Sequence, residues 1–348
     1  MKKSRILAGI FLMLFTLILV GCGDSNIDEV GANSSNGDTI TLSYAFFTSE
    51  ASYPGQMASY WAKEVNKRTN GKVNVEVYYS NTLLDAANMV DGVKKGVADI
   101  GLFTSSYEVG SFPLGQIADL PNGYGNATIA SKVNKALIEE FPESRLDGLK
   151  VLKVFTTDPL YIHSNRKVET LKDLKGLQMR TPSNFTVLLD KLGAAAVGMS
   201  QAEQASALQT GIIEGSLTDR GGLRDSKLSE LIDYVINVPL GTSTFLAIMT
   251  EEKWNSLPAD VQEVMTQLSE EMPEYAGKYV DVRTKEILEE AKADGVEVVS
   301  LKDGDLQNWE AVFKGLKQEY IEDAKSKGLP AEELDARIKE LTEQYKAE

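Results

Sequence analysis

Hydrophobic and polar positions alternate in several short stretches of the chain, and each alternation predicts a half-buried β-strand. Ile40, Leu42, Tyr44 and Phe46 give the clearest case, over residues 39–46. Apolar residues at helical spacing predict helices between such stretches, and Gly or Asn ends several of them. Strands separated by helices favour an α/β fold built on parallel sheets. The predicted strands are 39–46, 73–79, 99–103, 150–156, 161–163, 178–181, 216–218, 234–238, 245–250 and 296–300.

The last third of the chain predicts mainly helices. Two helical stretches, 252–271 and 274–293, are separated only by Met272-Pro273. Proline is tolerated in the first turn of a helix and disrupts its interior, so this point is either a kink or a break. A further helix is predicted over 305–327. The charged tail 330–348 is predicted to be an amphipathic helix lying solvated on the surface.

The N-terminus predicts a secretory leader. Lys2, Lys3 and Arg5 precede an apolar run over residues 6–20, and Leu19-Val20-Gly21-Cys22 has the form of a lipobox. The run is too short for a transmembrane helix. We therefore expect a lipoprotein signal peptide over 1–21, cleavage before Cys22, and acyl chains on Cys22 that hold the protein at the outer face of the membrane.

Residues 22–38 are rich in Gly, Ser and Asn and predict a flexible tether. Cys22 is the single cysteine of the chain, so it cannot form an internal disulfide. An incidental cysteine after a plain signal peptide is the alternative.

Length and charge limit the classes of function. The chain has 348 residues, and a body of this size usually forms two lobes. Its formal charge is −15, and loss of the three leader cations gives −18. Nucleic acid and anionic lipid surfaces are therefore poor partners. An acidic protein that binds an anion needs a locally positive cleft, so a cationic side chain in a cleft becomes informative.

Arg180 is the candidate for such a side chain. It lies in the β-like run 178–181 and is followed by Pro182, which favours an extended conformation for Thr181. A guanidinium group offers a planar fork of donors that suits a carboxylate. A structural salt bridge or a solvated arginine at a strand end is the alternative at this point.

The region around Arg180 resembles the solute-binding proteins of TRAP transporters, the family of the dicarboxylate-binding proteins. That family has a KGLK-[IL]-R-V-P block, an LGA-x-P-x-x-M block, a glutamate and an ALQ-x-G-x-[VI]-D-G block. The matching residues here are Lys175–Pro182, Leu192–Met199, Glu203, Ala207–Gly211 and Ile213–Gly215. Further blocks at Trp61–Lys72 and Trp254–Val264 extend the resemblance over roughly residues 39 to 320.

The resemblance implies a two-lobed α/β fold of the periplasmic-binding-protein (Venus flytrap) type, with a long helix lying across both lobes. It implies lobe I over 39–157 plus about 246–285, and lobe II over 158–245 plus about 286–325. Residues 326–348 then form a C-terminal helix. The implied function is capture of a small organic acid anion and its delivery to the small and large TRAP membrane subunits.

The resemblance also implies a set of binding residues, with Arg180 as the carboxylate anchor. A leucine, Leu160, stands where relatives that bind sialic acid carry another arginine, and Thr218 stands where many relatives carry asparagine. Arg220 and Arg224 are extra positive charges, either for a second acidic group or at the surface. The other implied contacts are Ser183, Asn184, Gln201, Thr218 and Asp219 from lobe II, and Phe47, Thr104 and Tyr107 from lobe I.

The sequence predicts no catalytic or metal site and no cofactor. It contains no Walker loop, HExxH, paired CxxC or GxSxG motif. His163, the only histidine, is expected to be an ordinary strand or loop residue. Two alternatives to a transport role stay open: a sensor lipoprotein that reports the same ligand to a signalling receptor, and a secreted lipoprotein enzyme.

Overall fold

A computed structural model describes residues 39–302 and 304–348. The predicted signal peptide, the tether 22–38 and the lipidation residue Cys22 lie outside the described residues. Among the described residues, no helix combines the length and the apolar character needed to cross a membrane.

Five strands form the sheet of lobe I, in the order β2-β1-β3-β10-β4. Strand β1 is parallel to β2 and β3, whereas β10 is antiparallel to both of its neighbours, β3 and β4. The aromatic and aliphatic side chains of these strands, together with those of the helices packed on them, form the largest apolar cluster of the described residues. The strands are β1 Ile40–Ala45, β2 Val73–Tyr78, β3 Ile100–Thr104, β4 Leu149–Thr156 and β10 Thr244–Thr250.

Six strands form the sheet of lobe II, in the order β11-β9-β5-β8-β6-β7. Strand β6 is parallel to β7 and β8, and β11 is parallel to β9. Strand β5 is antiparallel to both β8 and β9. The strands are β5 Leu160–Ser164, β6 Gln178–Thr181, β7 Ala195–Gly198, β8 Gly215–Asp219, β9 Tyr234–Ile236 and β11 Glu297–Val299.

The prediction of parallel sheets is therefore wrong for one strand of each lobe. Strand β5 follows β4 after three residues, and β10 follows β9 after the segment 237–243, without a helix in either connection. Parallel neighbours within a sheet need a long crossover, usually a helix. Strands β5 and β10 enter their sheets directly from the other lobe without such a crossover, and both are antiparallel to their neighbours. These two connections join the lobes.

Eleven α-helices cover the two sheets of the described chain. Helix α1 begins at Ser52, whose hydroxyl accepts a hydrogen bond from the Gly55 amide, as an N-cap should. The predicted helix from residue 252 is split, because Leu257-Pro258 separates α8 from α9. The helices are α1 Tyr53–Arg68, α2 Met89–Lys94, α3 Pro113–Asp119, α4 Ala127–Glu140, α5 Thr186–Lys191, α6 Gln204–Gln209, α7 Gly222–Asp225, α8 Glu251–Ser256, α9 Ala259–Ala293, α10 Asp305–Ser326 and α11 Ala331–Ala347.

Helix α9 spans both lobes, as the resemblance implied. Its 35 residues correspond to about 50 Å of helix. Val261 and Met265 join the core of lobe I, whereas Ile287 and Ala291 join an apolar cluster of lobe II. The helix continues through Pro273, so of the two alternatives at this point, a kink or a break, the break is excluded.

The C-terminal helix α11 packs more firmly than the predicted solvated tail. Leu334, Ile338 and Leu341 are buried in a cluster that α3, α4 and α10 complete. Its charged side chains cover the other face. The sequence prediction also missed α3, α4 and β7. Strand β7 consists of Ala195-Ala196-Val197-Gly198 and carries almost no β-branched signal.

Candidate functional site

Arg180 is held in lobe II by backbone oxygens. It lies in β6 between Val197 of β7 and Ser216 of β8, and it is 1% exposed. Its Nε donates to the Met199 carbonyl at 3.0 Å, and its Nη1 donates to the Leu217 carbonyl at 3.1 Å. It forms no ion pair with any carboxylate of the described residues. A buried cation is thus fixed in place by neutral acceptors, and the carboxylates that act on its charge, Asp219 and Glu203, do so from beyond ion-pair distance.

Tyr107 brings lobe I to this guanidinium group. The tyrosine lies in a single 3-10 turn, Ser105–Tyr107, directly after β3. Its hydroxyl oxygen accepts from Arg180 Nη2 at 3.4 Å and from the Gln201 amide at 2.9 Å. Both acceptor positions of the oxygen are therefore used. Its own proton is left to donate to a third group.

The remaining donors of Arg180 have a defined geometry. A guanidinium group carries five N–H bonds, and three of them are used by Met199, Leu217 and Tyr107. One N–H is left on Nη1 and one on Nη2, so both terminal nitrogens can still donate to a carboxylate. Burial lowers the pKa of Arg180 from its usual value. An arginine nevertheless stays charged in a protein.

Aromatic rings form the lobe I side of the site. The Phe47 ring meets the Tyr107 ring edge-on at 5.6 Å between centroids and stacks on Phe245 at 6.1 Å. Phe245 in turn stacks on Phe155 at 5.3 Å. Thr104 has a structural task, because its hydroxyl caps the turn by accepting from the Ser106 amide.

A second turn, Ser183–Phe185 of lobe II, lies against the turn that carries Tyr107. Asn184 is buried, and its Oδ1 has no hydrogen-bond partner among the described residues. The hydroxyl of Thr181, the residue after Arg180, is also buried without a hydrogen-bond partner among the described residues. Thr181 was not among the predicted site residues. Buried polar atoms without partners are uncommon, and a bound water or ligand is one way to satisfy them.

Two predicted residues follow the Leu217 carbonyl on β8. Thr218 is buried and packs beside Gly222 of α7. Asp219 is also buried, and its pKa is raised to about 7, chiefly by burial and further by the nearby carboxylates Asp158 and Asp225. Two residues beyond the Leu217 carbonyl, β8 thus carries a carboxyl group that is partly protonated at neutral pH.

The two extra arginines are engaged elsewhere. Arg220 forms a two-pronged ion pair with Asp158, with both N···O distances at 2.6 Å. Arg224 pairs with Glu290 of α9 at the surface. Leu160, at the start of β5, belongs to the apolar core of lobe II.

Asp225 makes a contact between the lobes that the sequence did not indicate. Its Oδ2 accepts from the Tyr53 amide at the start of α1, at 2.9 Å, and the same carboxylate pairs with Arg283 of α9. One carboxylate of lobe II thus joins the first helix of lobe I to the spanning helix. A pair so far apart in the chain leaves no local sequence signal.

A cavity of about 330 Å³ is lined by residues of both lobes, and two of these residues contact Tyr107, which does not itself line the cavity. Phe47 and Gln201, both in contact with Tyr107, form one wall of it. Its volume is at the lower end of the range typical of small-molecule sites. Other lining residues are Ser49, Ser80, Asn81 and Asp225.

His163 takes no part in the site. It is fully buried in β5, and burial lowers its pKa to about 3, with a smaller contribution from the charge of Arg220. It is therefore neutral at physiological pH. The described residues contain no cluster of three or more His, Cys, Asp or Glu side chains that could hold a metal ion.

Two sheets joined by a double connection and a spanning helix, with a buried cation between them, define a two-lobed solute-binding protein. Residues 44–323 match the family model described as bacterial extracellular solute-binding protein, family 7. The chain belongs to this family, that of the TRAP solute-binding proteins, which are extracytoplasmic receptors.

The comparisons with individual proteins agree. The chain is 34% identical to a TRAP periplasmic solute-binding protein from Desulfovibrio salexigens, with a TM-score of 0.79 over 88% of this chain and 97% of that one. It is 28% identical to a marine metagenome TRAP protein specific for aromatic acids, with a TM-score of 0.83 over 89% and 99%. It is also 24% identical to the C4-dicarboxylate-binding periplasmic protein DctP of Vibrio cholerae, over 85% of this chain and 90% of that protein.

Proposed function

We propose that the protein captures a small organic acid anion between its lobes, with Arg180 as the group that binds the carboxylate. The observation that carries the proposal is the buried guanidinium of Arg180, which has neutral partners and two N–H bonds to spare. A charge without a counterion in a low-dielectric site interacts strongly with an anion. The Tyr107 hydroxyl supplies a third donor to the same carboxylate.

The relatives support an acid as the solute. The Desulfovibrio salexigens structure has the C-terminus of a symmetry mate in its ligand-binding site, and a chain terminus ends in a carboxylate. The marine metagenome protein was crystallised with 3-hydroxybenzoate. In the present chain, the charge, geometry and burial of Arg180 fit the same kind of group.

Closure of the lobes is the proposed mechanism of capture. Residues 39–157 with about 246–285 form one moving body, and 158–245 with about 286–325 form the other, while residues 326–348 add the C-terminal helix. Arg180 belongs to one body and Tyr107 to the other. A ligand bound by both residues favours the closed arrangement, because its full set of contacts exists only there.

We further propose that the closed protein delivers its solute to the small and large TRAP membrane subunits, and that acyl chains on Cys22 keep it at the outer face of the membrane. Replacement of Cys22 by Ser tests the anchor. The expected result is release of the protein from the membrane fraction into the soluble fraction. Retention of the Cys22→Ser protein on membranes would refute lipidation at this residue.

A titration of the purified protein against organic acids tests the binding proposal. Selective binding raises the melting temperature through mass action. We expect a clear rise with at least one acid and its loss in Arg180→Ala. Arg224→Ala is the matched control, because it removes an arginine that pairs with Glu290 at the surface. Equal binding by the wild type and Arg180→Ala would refute the role of Arg180.

A further inference from the structure

The charges around the site distinguish one class of organic acid from the others. Arg220 is neutralised by Asp158, and Arg283 is neutralised by Asp225. Arg180 has no such partner among the described residues. The site therefore offers one cation that is not engaged in an ion pair, which matches one carboxylate.

Acidic groups occupy the rest of the region. Asp219 follows the Leu217 carbonyl by two residues on β8, which places it about 7 Å along the strand from the backbone that Arg180 contacts. Asp225 lines the cavity itself. A second carboxylate on the solute would find no cation among the described residues that line this cavity. A carboxylate that loses its hydration without gaining a cationic partner is costly to bury, so the structure disfavours a diacid.

The cavity beside Tyr107 is polar without being basic. Of the described residues that line it, none is Lys, Arg or His. The side chains of Ser49, Ser80, Asn81 and Gln201 make no hydrogen bond to another described residue, so their hydroxyl and amide groups are available to a ligand. Phe47 adds one apolar surface.

Two residues that line this cavity have a strained backbone. Ser80 and Asn81 have φ values of 56° and 61°, in the left-handed region that non-glycine residues rarely adopt. Hydrogen bonds from their amides to the Thr48 and Phe46 carbonyls, at 2.9 and 3.3 Å, hold them there. Such strain is concentrated at binding sites, where it fixes the direction of a side chain.

We infer that the solute is a monocarboxylate whose remaining part is uncharged and carries hydroxyl groups. Arg180 and Tyr107 bind the carboxylate, and the cavity from Phe47 to Asp225 receives the hydroxylated part. Hydroxyls can both donate and accept, so they suit the mixture of serine, amide and carboxylate groups on the wall. This inference rests on the proposed function, since it assigns the substrate class of the same site.

Matched pairs of acids test the inference by isothermal titration of the purified protein. The pairs are gluconate with glucarate, and 3-hydroxybenzoate with isophthalate; in each pair a second carboxylate replaces a hydroxyl or hydroxymethyl group. Benzoate and hexanoate serve as partners without hydroxyl groups. We expect at least one hydroxylated monoacid to bind tenfold or more tightly than its diacid and than its partner without hydroxyls. Tighter binding of the diacid, or equal binding of the acid without hydroxyls, would overturn the inference.

A charge added to the cavity wall provides a second test. Ala202 lines the cavity and is exposed, so Ala202→Lys places a second cation there with little risk to folding. We expect it to reduce the preference for the monoacid several-fold. Ala347→Lys, which adds the same charge at the exposed end of α11, should leave the preference unchanged. An unchanged preference in Ala202→Lys would contradict the role of the cavity.

The failure of the inference and the failure of the proposed function give different results. If diacids bind best and Arg180→Ala abolishes that binding, the function stands and the substrate class is wrong. If no acid binds, or if Arg180→Ala binds as the wild type does, the function itself is wrong.

Discussion

Two fully buried cations, one in each lobe, have opposite surroundings. Arg180 of lobe II is held by two carbonyl oxygens and by Tyr107 of the other lobe. Lys153 of lobe I lies among aromatic rings, with its Nζ 5.1 Å from the Tyr44 ring centroid and 5.5 Å from that of Trp61. Its nearest acceptor is the Met57 carbonyl at 3.5 Å.

The pKa values of the two groups diverge accordingly. Burial lowers the pKa of Lys153 to about 7, so the lysine can shed its charge. Arginine cannot lose its proton under the same penalty. Burial alone therefore does not make a binding site. An anion site needs a charge that persists, acceptors that orient the charged group, and free N–H donors between the two lobes. Arg180 meets all three requirements.

The largest expected effect comes from replacing the fork of Arg180 by a point charge. Arg180→Lys keeps a cation but cannot reach both carbonyls and a bidentate carboxylate at once. We expect a loss of binding free energy of about 2–5 kcal/mol, measured by isothermal titration with the acid that gives the largest thermal shift. If Arg180→Lys bound the acid within twofold of the wild type, the guanidinium group would not be needed, and the contrast between Arg180 and Lys153 would not explain the site.

Lys153→Met should change stability instead of binding. The folded pKa of Lys153, about 7, lies below that of an unfolded lysine, about 10.4. The unfolded chain then binds the extra proton between those values, so the wild-type stability rises with pH across this window. We expect Lys153→Met to remove that rise and to add about 2–4 kcal/mol to the free energy of unfolding at pH 7.

Denaturant unfolding at pH 7 and pH 9 measures this effect. Lys150→Met is the control, since Lys150 lies on the same strand with a partly exposed side chain over the Trp254 ring. A destabilised Lys153→Met protein at pH 7 would show that the aromatic rings stabilise the charge more than burial penalises it.

The contact of Asp225 with lobe I should have a smaller effect on binding. Asp225→Asn removes the charge that holds the Tyr53 amide and Arg283. Because these contacts favour the approach of the lobes, we expect about tenfold weaker solute binding, or about 1.4 kcal/mol. Asp233→Asn, at an exposed position, is the control. Tighter binding in Asp225→Asn would mean that the contact hinders closure.

The smallest expected effect is that of the Tyr107 hydroxyl. Tyr107→Phe keeps the ring that packs on Phe47 but removes one donor to the solute carboxylate. The net contribution of one hydrogen bond, about 0.5–1.5 kcal/mol, predicts a two- to tenfold loss of affinity. Tyr60→Phe, whose ring stacks on Tyr275 away from the site, should bind as the wild type does. An unchanged affinity in Tyr107→Phe would show that the Tyr107 hydroxyl does not contribute to binding of the solute.

The sequence predicted the two-lobed fold well, because the blocks around Arg180 and the helical pattern after residue 252 are local signals. The sequence could not decide whether α9 continues through Pro273, since a proline inside a helix is tolerated only when packing compensates for it. The antiparallel β5 and β10 follow from the path of the chain between lobes, which no local pattern encodes.

The site was predicted less completely than the fold. The sequence singled out Arg180 as a carboxylate anchor, a role that stays a prediction. It gave no sign that Asp225 contacts Tyr53, 172 positions away. Thr181 was missed because a threonine before a proline in a strand carries no functional signal. Only the structure shows that its hydroxyl is buried without a hydrogen-bond partner among the described residues. The sequence could not predict contacts between residues far apart in the chain, or which polar groups become buried, and these are the features of the site that were missed.

The central claim is that Arg180 binds the solute carboxylate end-on, with Tyr107 as a third donor. A crystal structure of the complex with the acid that most raises the melting temperature tests it directly. We expect the two carboxylate oxygens at about 2.7–2.9 Å from Nη1 and Nη2 of Arg180, with one of them also accepting from the Tyr107 hydroxyl. A carboxylate bound to another cation, with Arg180 still contacting only Met199, Leu217 and Tyr107, would contradict the account.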